Sequence, residues 1–157
     1  MAIATFAAGC FWGIEAQFRQ LSGVISTRVG YTAGMSENPT YKTVCTGTTG
    51  HAEAIEVTFD ANIISYESLL NHFWKMHDPT TLNRQGPDVG TQYRSAIFYH
   101  DEQQLRIATE SKEKLTDFKQ FSAPIVTTIT TAKQFYPAEE YHQCYLEKKG
   151  LKNCSKT

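Results

Sequence analysis

The chain has 157 residues, of which 41% are hydrophobic and 12% aromatic, a composition that suits one domain with a single core. Its 15 basic and 16 acidic side chains leave a formal net charge of -1, and neither sign forms a long run. This balance argues against nucleic acid or a membrane surface as a partner, and no apolar stretch is long enough to span a bilayer.

The N-terminus and the cysteines indicate the cellular compartment. Residues 1–6 have no basic segment followed by a long apolar one, so we expect no signal peptide. Without an export signal, Cys10, Cys45, Cys144 and Cys154 are expected to be thiols in a reducing compartment rather than structural disulfides. The sequence therefore predicts a cytoplasmic protein, and a small domain of this kind is expected to be a monomer.

The first half of the chain alternates between the periods of strands and helices. Residues 2–8 predict a buried strand, and apolar residues at helical spacing predict a helix over 11–21. Residues 25–29 and 55–59 alternate as a second and a third strand. Between these strands, residues 31–50 are rich in Gly, Ser, Thr, Asn and Pro, which predicts a long loop of the kind that tends to carry function.

The second half continues the same alternation and then adds further elements. In chain order the predictions are a helix at 65–77, a long loop at 78–90, a strand at 93–99, a charged helix capped by Asp101, a strand at 125–130, a short helix from Pro137 through Tyr145, and a polar tail.

The order strand, helix, strand, strand, helix, strand is that of the split βαβ, or ferredoxin-like, arrangement, in which two helices cover one face of an antiparallel sheet. We predict an α+β fold of this kind with an extra helix and strand and a coil-rich tail at about residues 147–157. No repeat, linker or low-complexity block divides the chain, so residues 1–157 are expected to form a single catalytic domain. Because this architecture hosts many functions, the site must decide between them.

Cys10 lies in the segment Gly9-Cys10-Phe11-Trp12-Gly13, where the first predicted strand ends and the first helix begins. The free N–H groups and the positive dipole end of a helix favour thiolate over thiol. The glycines permit a tight turn, and the two aromatic side chains supply pocket walls. We interpret Cys10 as a nucleophile; the alternative is a buried cysteine that packs as a small hydrophobe.

Glu53 has the same parity as Ile55, Val57 and Phe59 on the third predicted strand, so its side chain is expected to share their inward face. Burial disfavours the charged form of a carboxyl group and raises its pKa, so such a group can hold a proton at neutral pH and act as a general acid. The alternative, that the strand twists and Glu53 reaches solvent, stays open on the pattern alone.

Four segments of the chain match the motifs of a known family, in the same order as in that family. They are Gly9-Cys10-Phe11-Trp12-Gly13, residues 41–53 ending in Thr49-Gly50-His51-Ala52-Glu53, residues 85–95, and residues 135–143. Together they closely resemble the motifs of the peptide methionine sulfoxide reductase A family, which repairs methionine sulfoxide. One such motif occurs by chance easily, but four in order across nearly the whole chain are highly specific.

The resemblance implies a reaction and the residues that perform it. Cys10 would attack the sulfur of a methionine S-sulfoxide, free or within an oxidised protein. Glu53, in its protonated form, would hydrogen-bond the sulfoxide oxygen and protonate it as the S–O bond breaks. Tyr41 and Tyr93 would hold the same oxygen through their phenol groups.

The resemblance also implies how the rest of the substrate is held. Phe11 and Trp12 would enclose the substrate methyl group, which gains from burial against ring faces. Asp88 would orient the hydrogen bonds of the site and help to hold substrate or water.

A second thiol would complete the cycle, according to the same resemblance. Attack by Cys10 leaves methionine and a cysteine sulfenic acid, which a second thiol condenses into an intramolecular disulfide. Cys154 corresponds in spacing to a recycling cysteine of many family members and is the expected resolving residue. Cys144 either relays the disulfide from Cys10 to Cys154 or only packs, and Cys45 is expected to be structural. Thioredoxin, or dithiothreitol in vitro, would reduce the disulfide, and no bound cofactor is expected.

Three other kinds of function were weighed on the residues themselves. No Cys-x-x-Cys pair is present and the histidines are scattered, so no metal site is expected. A hydrolase that pairs Cys10 with His51 or His142 stays open, because acyl transfer also needs an activated thiol. A module that binds RNA or a small ligand on its sheet also stays open, although the chain lacks a basic surface and an RNA-reading aromatic signature.

Overall fold

The computed structural model describes residues 1–150, so the predicted resolving residue Cys154 lies outside the described residues. Within 1–150 the chain has an α+β fold. Its strands are β1 (Ala2–Ala8), β2 (Val24–Thr32), β3 (Ala52–Phe59), β4 (Arg84–Gln85), β5 (Asp88–Val89), β6 (Ser95–Tyr99), β7 (Thr128–Thr131) and β8 (Phe135–Pro137). Its helices are α1 (Phe11–Arg19), α2 (Tyr41–Val44), α3 (Tyr66–Met76), α4 (Glu102–Asp117) and α5 (Tyr145–Lys148), with 3-10 turns at Thr91–Tyr93 and Glu140–His142.

Six strands form one mixed sheet in the order β7-β6-β1-β3-β2-β8, and β4 and β5 form a separate small hairpin. All neighbours in the large sheet pair antiparallel except β7, which runs parallel to β6. The prediction of an antiparallel sheet is therefore wrong at this edge. Because α4 returns the chain to the end of the sheet where β6 begins, β7 starts there too and runs in the same direction.

The predicted helix from Pro137 through Tyr145 is also wrong. Residues Phe135–Pro137 pair with β2 as the edge strand β8, with Pro137 opposite Gly30. An edge strand tolerates proline because its outer side needs no ladder hydrogen bond. A Cβ atom added at Gly30 would lie 2.3 Å from the carbonyl oxygen of Tyr136, so only glycine lets the two strands approach this closely. The chain then makes a 3-10 turn and the single-turn helix α5.

The core lies between the sheet and the helices α1 and α3, with Phe6 of β1 at its centre. The Phe6 side chain is fully buried, and its ring stacks on Phe18 of α1, Phe73 of α3 and Tyr66 at centroid distances of 5.4, 5.1 and 6.0 Å. Within residues 1–150 no helix is both long and apolar enough to cross a membrane.

The register of two central strands determines where the candidate site lies. β1 and β3 are antiparallel neighbours with Phe6 opposite Ile55. The last residues of β1 therefore lie beside the first residues of β3. This register places the turn from β1 into α1, which carries Cys10, next to Glu53.

Candidate active site

Cys10 occupies the corner between β1 and α1, as the sequence predicts. Gly9 has a φ of 94°, a left-handed value that favours glycine, and Cys10 is the N-cap residue of α1. A Cβ atom at Gly9 would also lie 2.8 Å from Cγ of Gln85, so a larger residue would push away the β4–β5 hairpin. The Cys10 side chain makes no capping hydrogen bond and is partly exposed, so its thiol is accessible beside the helix N-terminus.

The structure resolves the orientation of Glu53 in favour of the inward interpretation. Glu53 is only 1% exposed, and its Oε1 accepts a hydrogen bond of 3.2 Å from the backbone N–H of Phe11. This N–H is one of those at a helix N-terminus that lack a partner within the helix. The carboxyl group is therefore fixed to the residue that directly follows Cys10.

The phenol groups of Tyr41 and Tyr93 lie in the electrostatic field of Glu53. Burial raises the pKa of both phenols above the ordinary value, and Glu53 raises the pKa of both further whenever its carboxyl group is ionised. Tyr93 is also within range of Asp88 and Cys10, and Tyr41 forms a hydrogen bond with the thiol of Cys45. Both tyrosines therefore remain protonated at neutral pH and keep an O–H donor.

Two aromatic side chains, those of Phe11 and Trp12, lie on the first turn of α1. Phe11 is buried, and its ring lies 6.5 Å from that of Tyr41 between centroids. The Trp12 indole stacks on Tyr145 at a centroid distance of 4.0 Å, and its Nε1–H donates a 2.9 Å hydrogen bond to Nδ1 of His142. The two aromatic residues predicted to enclose a methyl group are thus held next to the candidate nucleophile.

His142 has a structural task that the sequence did not indicate. It is fully buried, its ring lies 4.4 Å from that of Tyr41, and burial lowers its pKa, so the ring is neutral. Because Nδ1 accepts from Trp12, Nε2 carries the hydrogen, and Nε2 has no hydrogen-bond partner within residues 1–150. His142 therefore orients the Trp12 indole. Its place in the fourth sequence motif is the signal that could have drawn attention to it.

Glu139 is a second residue that sequence reasoning missed. Its carboxylate accepts a 2.9 Å hydrogen bond from the Tyr31 hydroxyl and a 3.0 Å bond from the backbone N–H of Tyr41. Burial alone would raise the pKa of Glu139, but the hydrogen bonds outweigh it and the pKa is lowered. Glu139 thus fixes the start of α2, and with it Tyr41, against β8.

Asp88 and Cys10 line one cavity of about 240 Å³. Asp88 lies on β5, and its hairpin forms one side of the cavity together with Gln85, Gly86 and Pro87. The first turns of α1 and the end of α3, including His77, form the other side. The structure therefore brings Asp88 and Cys10, both named by the sequence resemblance, to one cavity.

The other cysteines lie in distinct surroundings. Cys10, Cys45 and Cys144 are not joined to one another by disulfides. Cys45 was expected to be structural. It is exposed, and its thiol forms a hydrogen bond with the Tyr41 phenol. Cys144 was expected within a helix but instead precedes α5 as its N-cap residue, with a φ of 53°.

The hydrolase alternative loses its first candidate base. His51 is buried, its Nδ1 accepts a 3.0 Å hydrogen bond from the backbone N–H of Gly34, and its Nε2 lies 2.7 Å from the carbonyl oxygen of Ser36. Both ring nitrogens are thus engaged with the loop before α2. His142 is likewise engaged at Nδ1 with Trp12. The carboxyl group of Glu53, by contrast, is bonded to the backbone of the residue that follows Cys10.

Comparisons with known proteins identify relatives of this chain. A sequence model described as peptide methionine sulfoxide reductase matches residues 2–157. A peptide methionine sulfoxide reductase MsrA from Methanothermobacter thermautotrophicus is 61% identical over 96% of this chain and 89% of its own length. The MsrA from Methanosarcina acetivorans is 62% identical over 94% of this chain and 79% of its own length.

Solved structures show the same similarity. Mxr1 from Saccharomyces cerevisiae in reduced form aligns with a TM-score of 0.89 and 39% identity, over 95% of this chain and 86% of that one. Mxr1 in complex with Trx2 aligns with a TM-score of 0.65 and 26% identity, over 92% of this chain and 84% of that one.

Proposed function

Because this chain belongs to the peptide methionine sulfoxide reductase family and is an oxidoreductase that reduces methionine sulfoxide, we propose that Cys10 is its nucleophile and Glu53 its proton donor. The resemblance read from the four sequence motifs is thereby confirmed at the level of the family. The observation that supports the two roles is the hydrogen bond from the Phe11 N–H to Glu53, which holds a buried carboxyl group beside Cys10.

The proposed reduction has two steps. The Cys10 thiolate forms a bond to the sulfoxide sulfur while Glu53 gives its proton to the sulfoxide oxygen, and the S–O bond of the substrate breaks, so that the oxygen leaves as hydroxide. A water molecule then attacks the Cys10 sulfur and breaks its bond to the substrate sulfur, which releases methionine, leaves Cys10 as a sulfenic acid and returns a proton to Glu53. The buried surroundings of Glu53 suit this role, because burial favours the neutral carboxyl form that can donate a proton.

We propose that the remaining site residues hold the substrate. Tyr41 and Tyr93 would donate hydrogen bonds to the oxygen, Phe11 and Trp12 would enclose the methyl group, and Asp88 would orient substrate or water in the cavity next to Cys10. The phenol groups are suited to this task because their raised pKa values keep the donor hydrogen in place.

Tyr93→Phe is expected to lower kcat/KM for methionine sulfoxide by about 10- to 100-fold, because a hydrogen bond to a charged oxygen contributes about 1.5 to 3 kcal/mol. Steady-state kinetics with dithiothreitol as reductant measure this change. Tyr99→Phe is the matched control. Ser95, at one end of β6, pairs with Ala8 near Cys10, whereas Tyr99 lies at the other end of β6. Equal kcat/KM values for Tyr93→Phe and the parent would contradict a role for this phenol.

The sulfenic acid must be returned to a thiol, and we propose that an intramolecular disulfide reduced by thioredoxin does so, with dithiothreitol as the substitute in vitro. The structure of yeast Mxr1 in complex with Trx2 supports this reductant. We propose methionine S-sulfoxide as the substrate, free or in oxidised proteins, so that the enzyme repairs oxidised proteins. The cytoplasmic location and the monomeric state remain predictions.

A reconstituted assay tests the function. The protein is mixed with thioredoxin, thioredoxin reductase and NADPH, and the S and R epimers of methionine sulfoxide are added separately. NADPH consumption is expected with the S epimer. Without NADPH consumption on either epimer, the proposed cycle fails; consumption on the R epimer alone contradicts the proposed stereochemistry.

We also infer that the central strands form the predicted split βαβ core within a single catalytic domain of residues 1–157. The order β6-β1-β3-β2 places the fourth strand of the core next to the first, and the third between the first and the second. β7, β8, α4 and α5 would then be additions to this core. Of these additions, the segment from β8 to α5 supplies His142 and Glu139 to the site.

A further inference from the structure

Gln85, on the hairpin strand β4, is a residue to which the reaction described above gives no task. Its carboxamide makes two hydrogen bonds to the main chain of one residue, Asp78. Oε1 accepts a 3.0 Å bond from the Asp78 N–H, and Nε2 donates a bond to the Asp78 carbonyl oxygen. Nε2 also donates a 3.3 Å bond to the hydroxyl oxygen of Thr81. The amide group of Gln85 therefore closes the loop that runs from residue 78 to residue 85.

Asp78 is a fixed point for this closure because it directly follows His77, which is anchored on both ring nitrogens. The Nδ1–H group of His77 donates a 2.8 Å hydrogen bond to a carbonyl oxygen within α3, and Nε2 accepts a 2.7 Å bond from the hydroxyl of Ser95, the first residue of β6. Burial lowers the pKa of His77 to about 4, so the ring is neutral at physiological pH and keeps this pattern. Gln85 thus ties the hairpin to a residue that α3 and the large sheet hold in place.

The aliphatic part of Gln85 lies against the corner that carries Cys10. A Cβ atom at Gly9 would lie 2.8 Å from Cγ and 3.0 Å from Cβ of Gln85, so the methylene groups of Gln85 contact the main chain of Gly9 itself. The left-handed φ of Gly9 and its lack of a side chain permit this approach. The distance between the hairpin and Cys10 therefore depends on where Gln85 is held.

Asp88 is the residue that Gln85 pairs with across the hairpin. Gly86 and Pro87 make the turn between them, and Gln85 and Asp88 both line the cavity that contains Cys10. Of the described residues that line this cavity, Asp88 is the only Asp or Glu, and none is a Lys or Arg. No second carboxylate in the cavity wall can therefore take over the task of Asp88 if the hairpin moves.

We propose that Gln85 is a positioning residue for substrate binding: its bonds to Asp78 and its contact with Gly9 set the place of the Asp88 carboxylate relative to Cys10. This inference rests on the proposed function, in which Asp88 orients the substrate beside Cys10. Gln85 touches no reacting atom in this scheme. Its loss is therefore expected to weaken substrate binding and to leave the chemical steps at Cys10 nearly unchanged.

Gln85→Met separates the hydrogen bonds from the packing. Methionine is nearly as long as glutamine and keeps an aliphatic stem against Gly9, but it cannot bond to Asp78. The measurement is single-turnover formation of methionine at increasing concentrations of methionine S-sulfoxide. The concentration that gives half the maximal rate is expected to rise about tenfold, as for the loss of one hydrogen bond to a charged group, while the maximal rate changes by less than about twofold.

Two further variants support this measurement. Gln103→Met is the matched control, because Gln103 is exposed on α4, which does not line the cavity. Thermal unfolding shows whether Gln85→Met is folded. If it is not, Gln85→Glu replaces it, because glutamate keeps the acceptor for the Asp78 N–H and, when ionised, loses only the donor to the Asp78 carbonyl oxygen. A smaller rise in the half-saturating concentration is then expected.

A double-mutant cycle with Asp88→Ala shows whether Gln85 acts through Asp88. Asp88→Ala alone is expected to raise the half-saturating concentration by about 10- to 100-fold. Adding Gln85→Met to it is expected to raise this concentration by less than about twofold more, because the carboxylate that Gln85 positions is already gone. A purely structural role of Gln85 would instead have the same effect with and without Asp88.

The outcomes separate this inference from the proposed function. Equal effects of Gln85→Met in both backgrounds overturn the inference and leave the proposed function intact, and so does a Gln85→Met protein that changes only the maximal rate or neither quantity. If Asp88→Ala has the half-saturating concentration of the parent, the proposed role of Asp88 fails and the inference with it. A parent protein that forms no methionine contradicts the proposed function itself.

Discussion

Cys10→Ser is expected to abolish methionine sulfoxide reduction, with a loss of at least about 10⁴-fold in kcat. A serine hydroxyl is a far weaker nucleophile than a thiolate and cannot form a sulfenic acid, so both steps of the reduction are lost. The NADPH-coupled assay and direct measurement of methionine formed with dithiothreitol both report this loss.

The same substitution separates activity from stability. Cys10 is the N-cap residue of α1 and makes no side-chain capping bond, whereas serine is a preferred N-cap residue. Cys10→Ser is therefore expected to be at least as stable as the parent in thermal unfolding, with a gain of up to about 1 kcal/mol. An inactive variant that has also lost its fold would not support the assignment, and a variant that keeps activity would refute it. A Cys10 thiol that resists alkylation in the native parent would be a further contradiction.

The part of the site that the sequence predicts depends on local periodicity. The glycines around Cys10 and the change from period two to helical spacing locate the β1–α1 corner, and the parity of β3 places Glu53 inward. The inward placement of Glu53 is confirmed by its burial and by its bond to the Phe11 N–H. The position of the β1–α1 corner and the inward orientation of Glu53 both depend on residues close together in the sequence. Over such short distances, backbone geometry alone decides which way a side chain points.

The part that the sequence does not predict depends on pairing between distant segments. Tyr41 and Glu139 are 98 residues apart, and Trp12 and His142 are 130 apart, yet each pair is joined by a hydrogen bond. Both depend on β8, whose pairing with β2 requires the close approach that Gly30 allows. Read alone, Pro137 favours a helix start, and this local preference is overridden by the sheet edge.

Glu53→Gln is expected to lower the rate of methionine formation by about 100-fold or more at neutral pH, because a general acid contributes about 10² to 10⁴ in rate. Glutamine has nearly the same volume and keeps an oxygen that can accept from the Phe11 N–H, so the β1–α1 corner should be retained. Single-turnover kinetics without recycling reductant isolate this step from disulfide chemistry. Glu56→Gln is the matched control, since Glu56 is on the same strand but pairs with Arg28 at the surface, at 2.9 Å.

The dependence of this loss on pH identifies the proton donor. With Glu53 present, the proton comes from the site, so the rate should hold steady as pH rises until Glu53 itself ionises. With glutamine the proton must come from solvent, and the rate should fall about tenfold for each pH unit because it follows the proton concentration. The ratio of the two rates should therefore grow with pH. A constant ratio would mean that Glu53 only shapes the pocket. The proton would then have to come from another group near Cys10, and the candidates are the phenols of Tyr41 and Tyr93.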